Sequence, residues 1–399
     1  MQALKDVLVL DLGQIYNGAY CSLLLAYFGA TVIKIEPPEG EPLRRRLLGF
    51  DADREPYEFL MLNPNKLSLC IDLKAEAGKQ VFLKLAEKAD VLVENFKRGT
   101  MERLGLGYDV LSRINPRLIY ASGKGFGLSG PYADFPAMDL TVQAMGGVMA
   151  TTGFPDGPPV KAGPAVCDFM GGIHLFAGVM VALFQRVFTG RGQLVEVSMH
   201  DAIYPALASP LGALYNAVRE VPERTGNRHS GLRLAPYNVY PAADGYVAIF
   251  CVSERHWEAF ARYIGRPELL ADERFKTNSA RALHMDELDE IVAAWTSQRT
   301  RWEVVWGLME VGVPCAPVLS VREVADDPHL KARGMLRDVA HPEHGTIRLM
   351  GNPIRLADSP LGELRPPAPL GADTELVLRQ YAGLSDAEVD RLKRERVVF

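Results

Sequence analysis

The sequence predicts an α/β protein in which a mostly parallel sheet, flanked by helices, is joined to a smaller α+β domain. Short, unbroken apolar strands alternate with helical segments over residues 1–125, as is typical of a parallel sheet covered on both faces. A later Asp-Gly pair between two apolar runs indicates an antiparallel hairpin. The length of 399 residues exceeds the ~250–300 residues at which single cores stop growing, so we expect two domains.

The first region supplies the elements of the parallel sheet. Strands are predicted at Asp6–Leu12, Ala30–Ile35, Leu67–Leu73, Asp90–Glu94 and Leu118–Ser122. Helices are predicted at Ala19–Gly29, Ala75–Ala89 and Thr100–Asn115. A further helix, Gly171–Phe188, is apolar on nearly all sides, so we expect it to be buried in a core or at a subunit interface.

The later region has a different pattern. Apolar runs at Tyr237–Tyr240 and Tyr246–Val252 flank Asp244-Gly245, which predicts the hairpin. Helices are expected after Ser253, over Ala280–Trp295, after Thr300 with Glu303 in a capping box, and from Ser385 with Glu388 in another. We therefore predict a large α/β domain at 1–224, a small α+β domain at 225–330, and a linker with a C-terminal helix at 331–399 that returns to the large domain.

Composition disfavours several classes of protein. The formal net charge of −5 gives no electrostatic footprint for nucleic acid. Apolar runs such as Ala19–Phe28 are shorter than the ~20 residues of a membrane span, and the first residues run directly into a strand, so we expect neither a membrane partner nor a signal peptide. The five cysteines are scattered without a CxxC pair, which favours reduced thiols in a cytoplasmic protein without zinc or disulfides.

One glycine motif invites a dinucleotide-binding interpretation. Gly125–Gly130 fits GxGxxG and follows a strand, but turn residues at Pro131–Pro136 stand where the motif requires a helix. The strand-end acid expected ~20 residues further on is also missing from the sequence. A nicotinamide-dependent oxidoreductase is therefore only a minor alternative.

Histidine and serine patterns give little chemistry. His341 and His344 form the one close histidine pair, and Pro342 and Gly345 beside them exclude a helical metal site. No GxSxG motif is present in the sequence. We therefore expect no metal, and we expect the chemistry to rest on carboxylates.

A series of short phrases extends along almost the whole chain in a fixed order. They are Val7–Leu12 with Gly18, Phe28–Pro37, Asn65–Leu69, Val93–Gly99, Leu104–Tyr108, Asn115–Tyr120, Gly123–Gly127, Gly130–Tyr132, Gly153–Pro159, Thr189–Gln193 and Ala235–Tyr237. Together they resemble the class III CoA-transferase family, which includes formyl-CoA transferase, carnitine CoA-transferase and 2-methylacyl-CoA racemases. The resemblance implies a Rossmann-like large domain and an interlocked homodimer.

The resemblance also implies a carboxylate nucleophile, which matches Asp168 in Val166–Gly172. A carboxylate that attacks a thioester forms a mixed anhydride, and the released CoA thiolate reopens it to an aspartyl-CoA thioester. A second acid then attacks that thioester and receives CoA in turn, so little thioester energy is lost where water is excluded. From the residues alone, a helix N-cap is the alternative role for Asp168.

The second carboxylate matched by the resemblance is Asp139. In the racemase branch a histidine precedes this acid and helps to move an α-proton, whereas this chain has Met138. A thioether cannot accept or donate that proton, so Met138 favours transferase over racemase, which remains the alternative. Asp139 is then expected to orient the site, with a turn residue as its other interpretation.

CoA carries phosphates and an adenine, which call for cations and for aromatic or amide edges. The positions that match the family's binding residues are Tyr16, Asn17, Leu73, Lys74, Asn95, Phe96, Lys97, Arg103 and Lys124. One position departs from formyl-CoA transferase, because Pro37-Pro38 stand where that enzyme has a basic residue after the strand. That contact is therefore not carried over.

The substrate prediction rests on two further features. Val221–Leu234 is short and lacks the glycine-rich loop of formyl-CoA enzymes, so formate and oxalate are not expected as substrates. Arg44, Arg45 and Arg46 could meet the distal carboxylate of a dicarboxylic acid, although charge runs are usually solvated. We expect succinate-, malate- or mesaconate-like acids, by transfer between two molecules or within one, with an acyl-CoA donor, a free acid acceptor and no tightly bound cofactor.

Overall fold

The computed structural model describes residues 1–45, 55–216, 221–360 and 362–399. The strands are β1 Leu8–Asp11, β2 Thr31–Glu36, β3 Lys66–Cys70, β4 Val91–Glu94, β5 Ile119–Lys124, β6 Leu194–Ser198, β7 Tyr237–Ala242, β8 Gly245–Phe250, β9 Cys315–Pro317, β10 Leu336–His341 and β11 Gly345–Met350.

The helices are α1 Asn17–Tyr27, α2 Tyr57–Leu62, α3 Glu76–Ala86, α4 Thr100–Arg103, α5 Tyr108–Ile114, α6 Asp139–Met145, α7 Val148–Thr151, α8 Val166–Thr189, α9 Met199–Ile203, α10 Ala208–Asn216, α11 Glu254–Tyr263, α12 Asn278–Leu283, α13 Met285–Thr296, α14 Arg301–Glu310, α15 Val321–Ala325, α16 Pro328–Ala332, α17 Thr374–Gln380 and α18 Asp386–Arg394. Short 3-10 helices lie at Pro42–Arg45, Tyr204–Leu207 and Pro267–Leu270.

The central sheet has six strands in the order β3-β2-β1-β4-β5-β6, and every pair in it is parallel. The predicted α/β class with a parallel sheet is confirmed, and its strand order is that of a Rossmann-like sheet. Because the strands are parallel, their carboxyl ends all meet at one edge, where such sheets bind ligands.

Both faces of the sheet are buried, which explains the unbroken apolar strands. Leu10 and Ile33 pack into one core with α3, α17 and α18. Their neighbours Val9 and Val32 point to the opposite face and pack into a second core with α1 and α8. Since successive strand residues point to opposite faces, a strand that is buried on both faces is apolar at most positions and not only at alternate ones.

The chain divides into two compact units. The first comprises Met1–Val142, Pro164–Ile203 and Asp326–Phe399, and the second comprises Gln143–Gly163 and Tyr204–Ala325. The first unit contains the parallel sheet, and segments 143–163 and 204–224 belong to the second. The predicted domain bounds of 1–224, 225–330 and 331–399 stay a prediction.

The second unit contains the predicted hairpin. Strands β7 and β8 are antiparallel around the turn before Gly245, and β9 adds a third strand that sequence reasoning missed. Its core is built around Trp257 and Phe260. The helix after Thr300 is confirmed with its capping box, as is the one after Ser385 in the first unit.

Three predicted helices have wrong bounds. Thr100–Asn115 is two helices, because Gly105 adopts a left-handed conformation (φ 74°) that ends α4. Ala280–Trp295 is also two, divided at His284. The predicted helix Gly171–Phe188 begins earlier, at Val166, so Asp168 lies within its first turn.

Helix α8 is long and apolar enough to cross a membrane by length and composition, and it is the single such helix among the described residues. A buried helix of a soluble protein passes the same test. One side of α8 packs into the second core through Leu175 and Val179. The other side exposes Val181, Phe184 and Phe188.

The last residues of the chain return to the sheet. Asp72 donates its backbone N–H to Val397 O at 2.9 Å, and Phe399 donates to Cys70 O at 3.2 Å. An antiparallel bridge joins Ile71 to Val398. The C-terminal residues thus extend the backbone bonding beyond the carboxyl end of β3.

Candidate active site

A cleft of about 310 Å³ opens at the carboxyl edge of the sheet. It is formed mainly by the carboxyl ends of β1, β2, β3 and β4, the loops that follow them, and α4. The residues that line it include Gly13, Gln14, Glu41, Leu73, Lys74, Phe96 and Arg103. Four of the predicted CoA-binding residues, namely Leu73, Lys74, Phe96 and Arg103, are thus brought together.

The cations of this cleft are exposed. Lys74 has its backbone N–H bonded to Asp72 Oδ1 at 2.8 Å, which fixes the turn from which its side chain projects. Arg103 donates from Nη2 to Thr100 Oγ1 at 2.9 Å, one turn earlier on α4. Both positive groups therefore lie at the opening of the cleft, where they can bind an anionic ligand.

Lys124 behaves differently from the other predicted cations. It is buried, and its Nζ lies 2.6 Å and 2.7 Å from the two carboxylate oxygens of Glu94 and 2.8 Å from Phe96 O. Lys97, three residues after Glu94, is exposed, and it lines the same small pocket as Lys124. Lys124 therefore holds the ends of β4 and β5 together, whereas Lys97 can reach a ligand.

A buried charge pair supports the loop after β1. Lys66 Nζ lies 2.9 Å from Asp11 Oδ2, and it also donates to Ser22 Oγ at 2.8 Å. Burial by itself would raise the pKa of Asp11, but the ammonium groups of Lys66 and Lys34 outweigh it and hold that pKa below its ordinary value. Burial lowers the pKa of Lys66 to about 8, opposed by Asp11. The pair ties β3 to β1 and α1.

Tyr16 and Asn17 lie at the start of α1, close to the residues around Asp168. The ring of Tyr16 stacks on Phe169 with centroids 5.8 Å apart. The carboxamide of Asn17 is buried, and neither its oxygen nor its nitrogen has a hydrogen-bond partner among the described residues. A Cβ on Gly123 would lie 2.2 Å from Asn17 Oδ1, and one on Gly171 would lie 2.2 Å from Asn17 Nδ2, so a larger residue at either position would displace the carboxamide.

Asp168 occupies the third position of α8 and is 9% exposed. It shares a helix face with Gly171, Gly172 and Leu175, which follow at intervals of three, four and seven residues and are also buried. The Asn17 carboxamide therefore lies about one helical turn from Asp168. The positive end of the helix dipole favours the ionised, nucleophilic form of a carboxylate in the first turn.

Asp139 lies at the first residue of α6 and faces the same helix end. Its Oδ1 accepts the backbone N–H of Cys167 at 2.9 Å and that of Asp168 at 3.3 Å. These amides belong to the first turn of α8, whose N-cap Ala165 has no side-chain bond. Asp139 thus fixes the backbone that carries Asp168. Met138 beside it is 51% exposed.

Neither a dinucleotide-binding loop nor a cysteine nucleophile is supported by the residues near Asp168. After Gly130 the chain continues as turns until α6 begins at Asp139, so the GxGxxG motif does not open a helix. Burial raises the pKa of the Cys167 thiol to about 12, with Asp139 and Asp168 adding to the effect. A thiol with that pKa is not a nucleophile near neutral pH.

The three consecutive arginines differ in their environment. Arg44 binds Glu36 through Nε at 2.7 Å and through Nη2 at 2.9 Å, and Nη1 pairs with Glu55. Its guanidinium also lies 3.9 Å from the ring centroid of Phe59, so its bonding capacity is used within the chain. Arg45 is exposed, and Arg46 lies outside the described residues.

The histidine pair noted in the sequence, His341 and His344, has a third potential metal ligand beside it, Glu55. Ligand atoms of Glu55, His341 and His344 lie within 4.8 Å of one another. However, Nδ1 of His341 accepts the backbone N–H groups of Glu343 and His344, both at 3.2 Å, so the neutral ring carries its proton on Nε2. That nitrogen then lacks the lone pair of a ligand, and the prediction of no metal stays a prediction.

The family model for CoA-transferase family III matches residues 4–374. The chain belongs to this family and is a class III CoA-transferase, which confirms the resemblance found in the sequence phrases. Its substrates are accordingly an acyl-CoA donor and a carboxylate acceptor.

The chain is similar over at least nine-tenths of its length to two named CoA-transferases and over 95% to a solved structure. It is 37% identical to the formyl-CoA:oxalate CoA-transferase of Streptomyces coelicolor, over 100% of this chain and 99% of that one. It is 39% identical to the succinyl-CoA:mesaconate CoA-transferase of Haloarcula hispanica, over 90% and 91% of the two chains. The crystal structure of a CAIB/BAIF family protein from Brucella suis superposes with a TM-score of 0.84 at 34% identity, covering 95% and 99%.

Proposed function

We propose that this enzyme moves CoA between carboxylic acids through an aspartyl-CoA intermediate on Asp168. The observation that carries the proposal is the placement of Asp168: a buried carboxylate in the first turn of α8, beside Tyr16 and Asn17 and along the edge that holds the exposed cations. Burial excludes water from a reactive anhydride, and the helix end favours the ionised nucleophile.

The steps balance without any further reactant. The Asp168 carboxylate attacks the acyl-CoA carbonyl, and CoA leaves as a thiolate. The thiolate then attacks the Asp168 carbonyl of the anhydride and releases the first acid as a carboxylate. The acceptor carboxylate then attacks the aspartyl-CoA carbonyl and forms a second anhydride, with CoA leaving again as a thiolate. The thiolate attacks the acceptor's carbonyl, which gives the new thioester and regenerates the Asp168 carboxylate.

The exposed cations support a site for the anionic part of CoA. We propose that Lys74, Lys97 and Arg103 meet its phosphates, and that Phe96 and Leu73 provide apolar contacts in the cleft. Lys124 and Asn95 would then act on CoA through the loops that they hold. By resemblance to the family we propose an interlocked homodimer, and from the scattered cysteines without a CxxC pair we propose a cytoplasmic location.

A short dicarboxylic acid is the acid that we propose as acceptor or as the acyl part of the donor. Named relatives act on oxalate, succinate and mesaconate, all of which have two carboxyl groups. Because one relative is a formyl-CoA:oxalate CoA-transferase, oxalate belongs in the test, although the short segment Val221–Leu234 predicts against it as a substrate. A second carboxylate needs a fixed cation to offset its desolvation, and among the described arginines of the run Arg45 is the exposed one.

Asp168→Ala tests the mechanism. We expect turnover to fall by on the order of a thousandfold or more while CoA affinity stays within about threefold, because the carboxylate supplies the covalent step. The matched control is Asp109→Ala, which removes an exposed carboxylate from the first turn of α5. Hydroxylamine trapping with acyl-CoA should modify Asp168 in the wild type.

Two further outcomes separate the aspartyl mechanism from the racemase alternative. Near-normal transfer by Asp168→Ala would overturn the aspartyl mechanism. Rapid α-deuteration of a chiral 2-methylacyl-CoA in deuterated water, with no acid acceptor present, would instead indicate a racemase. Met138 favours the transferase because its thioether cannot carry the proton.

Arg45→Gln tests the acyl class. We expect it to lower kcat/KM for succinate, mesaconate and oxalate by about tenfold relative to butyrate, the value of one charge-assisted contact. A panel of acyl-CoA donors against free acids, read by product mass, measures this ratio. Equal losses for butyrate and succinate would remove the dicarboxylate argument and leave the transferase assignment standing.

A further inference from the structure

The loop that joins β1 to α1 contains a residue in an unusual backbone conformation. Ile15 has φ of 60°, in the left-handed region. A β-branched side chain rarely adopts this region, because its Cβ substituents crowd the backbone there. Such a conformation persists only where the surroundings impose it, and it is found most often at functional sites.

Polar side chains hold each of the three residues Gly13, Gln14 and Ile15. Lys34 Nζ donates to Gly13 O at 2.9 Å. Asn95 bonds Gln14 twice, accepting its N–H at 2.7 Å and donating to its carbonyl at 2.9 Å.

The third contact bears on the unusual residue itself. Glu41 Oε2 accepts the backbone N–H of Ile15 at 3.0 Å. Glu41 and Lys34 are both buried, and Lys34 Nζ lies 3.3 Å from Glu41 Oε1. A carboxylate with a cation beside it is a stronger acceptor than a neutral group, so it can hold an N–H in an unfavourable backbone conformation.

The loop lies between two parts of the proposed site. Gly13 and Gln14 line the cleft together with Leu73, Phe96 and Arg103. The next two residues, Tyr16 and Asn17, reach the residues around Asp168, as their contacts with Phe169 and Gly171 show. The conformation of Ile15 therefore sets the spacing between the CoA cleft and the nucleophile.

We propose that Glu41, with Lys34 and Asn95, is a positioning residue that holds Ile15 in its left-handed conformation and thereby aligns bound acyl-CoA with Asp168. This inference rests on the proposed aspartyl mechanism. Proximity effects make such alignment sensitive, since a small displacement of reacting groups costs a large factor in rate. Loss of the Glu41 contact should therefore lower kcat more than it lowers CoA affinity.

The test combines Glu41→Ala with Ile15→Gly in a double-mutant cycle. Glu41→Ala is expected to lower kcat at least tenfold while KM for acyl-CoA changes less than threefold, because Lys74 and Arg103 remain in place. Adding Ile15→Gly should recover at least threefold in kcat, since glycine adopts positive φ without crowding. Ile15→Gly alone supplies the reference, and Glu41→Gln, which keeps an acceptor oxygen, should lose less than Glu41→Ala.

Thermal unfolding of each variant checks that it is folded. Asp11 and Glu36 also face Lys34, so Glu41→Ala leaves that cation with carboxylate neighbours. If Glu41→Ala does not fold, Asn95→Ser removes both bonds to Gln14 and leaves the Lys34–Glu41 pair intact, and Ile15→Gly should rescue it in the same way.

The outcomes separate the two proposals. Unchanged kcat in a folded Glu41→Ala, or a double variant no faster than Glu41→Ala, overturns the positioning role while wild-type transfer and Asp168 labelling still support the mechanism. A wild type that transfers CoA without labelling Asp168 overturns the mechanism on which the inference rests.

Discussion

Two sets of cationic side chains stand along the carboxyl edge of the sheet, and they differ in burial. The buried set faces carboxylates of the same chain, in the pairs Lys34–Glu41, Arg44–Glu36, Lys66–Asp11 and Lys124–Glu94. The exposed set, Lys74, Lys97 and Arg103, stands at the openings of the clefts. Cations of the first set maintain the edge of the sheet, and those of the second are available to a ligand.

The difference in burial decides whether a residue that matches a CoA-binding position of the family can itself contact CoA. Lys97 and Lys124 were both matched to CoA-binding residues of the family, and their sequence contexts do not distinguish them. The structure does, because Lys124 is enclosed with Glu94 whereas Lys97 is exposed. Removing one partner of a buried ion pair lowers the stability of the protein strongly. Removing an exposed cation changes stability little, and its loss matters only when a ligand is bound.

The largest effect is expected on stability. Lys124→Met should lower the free energy of unfolding by about 3–5 kcal/mol, because Glu94 would remain buried without its cation. The matched control is Lys97→Met, which should change stability by less than about 0.5 kcal/mol. Urea unfolding measures both, and a stable Lys124→Met would place Lys124 with the ligand-binding cations.

The next effect is expected on CoA affinity. Arg103→Ala should raise KM about ten- to a hundredfold for every acyl-CoA donor alike, the value of a charge-assisted contact of roughly 1.5–3 kcal/mol. The control is Arg98→Ala, since Arg98 pairs with Asp134 at 2.9 Å and is not a matched position. A loss confined to one acyl group would instead place Arg103 beside the acyl chain.

The smallest effect concerns pH. Burial by itself would raise the pKa of Glu36, but Arg44 and Lys34 outweigh it and hold that pKa below its ordinary value of 4.5. A lowered carboxyl pKa contributes stability that is present above 4.5 and lost as pH falls through the folded value. Glu36→Gln should therefore flatten the fall in unfolding free energy below about pH 4.5. An identical slope in both proteins would contradict the strength of the Arg44 pair.

Much of the fold was open to prediction because its signals are local. Apolar runs located five strands of the parallel sheet, and capping boxes located the helices after Thr300 and Ser385. The sixth strand, β6, was missed because Glu196 interrupts its apolar pattern. The single helix expected at Thr100–Asn115 failed at Gly105, where one glycine with positive φ outweighs helical periodicity.

The site was less accessible to prediction because its contacts are distant in sequence. Asp168 was proposed by resemblance, but its bonding to Asp139 through backbone amides depends on how α6 approaches α8. Glu41 gave no signal, since either of the two acids after Pro37-Pro38, Glu39 or Glu41, resembles an exposed turn residue. Arg44 could not be assigned to Glu36 and Glu55 from a run of three arginines.

The bonding of the C-terminal residues has a practical consequence for handling the enzyme. Val397, Val398 and Phe399 form backbone bonds and a bridge with Cys70, Ile71 and Asp72, and the last two of these line the cleft. Exoprotease trimming of these residues would remove those bonds from one wall of the cleft. A shortened form that stops before Val397 is therefore a poor choice for assays of CoA binding, and intact mass is a useful measure of a preparation's quality.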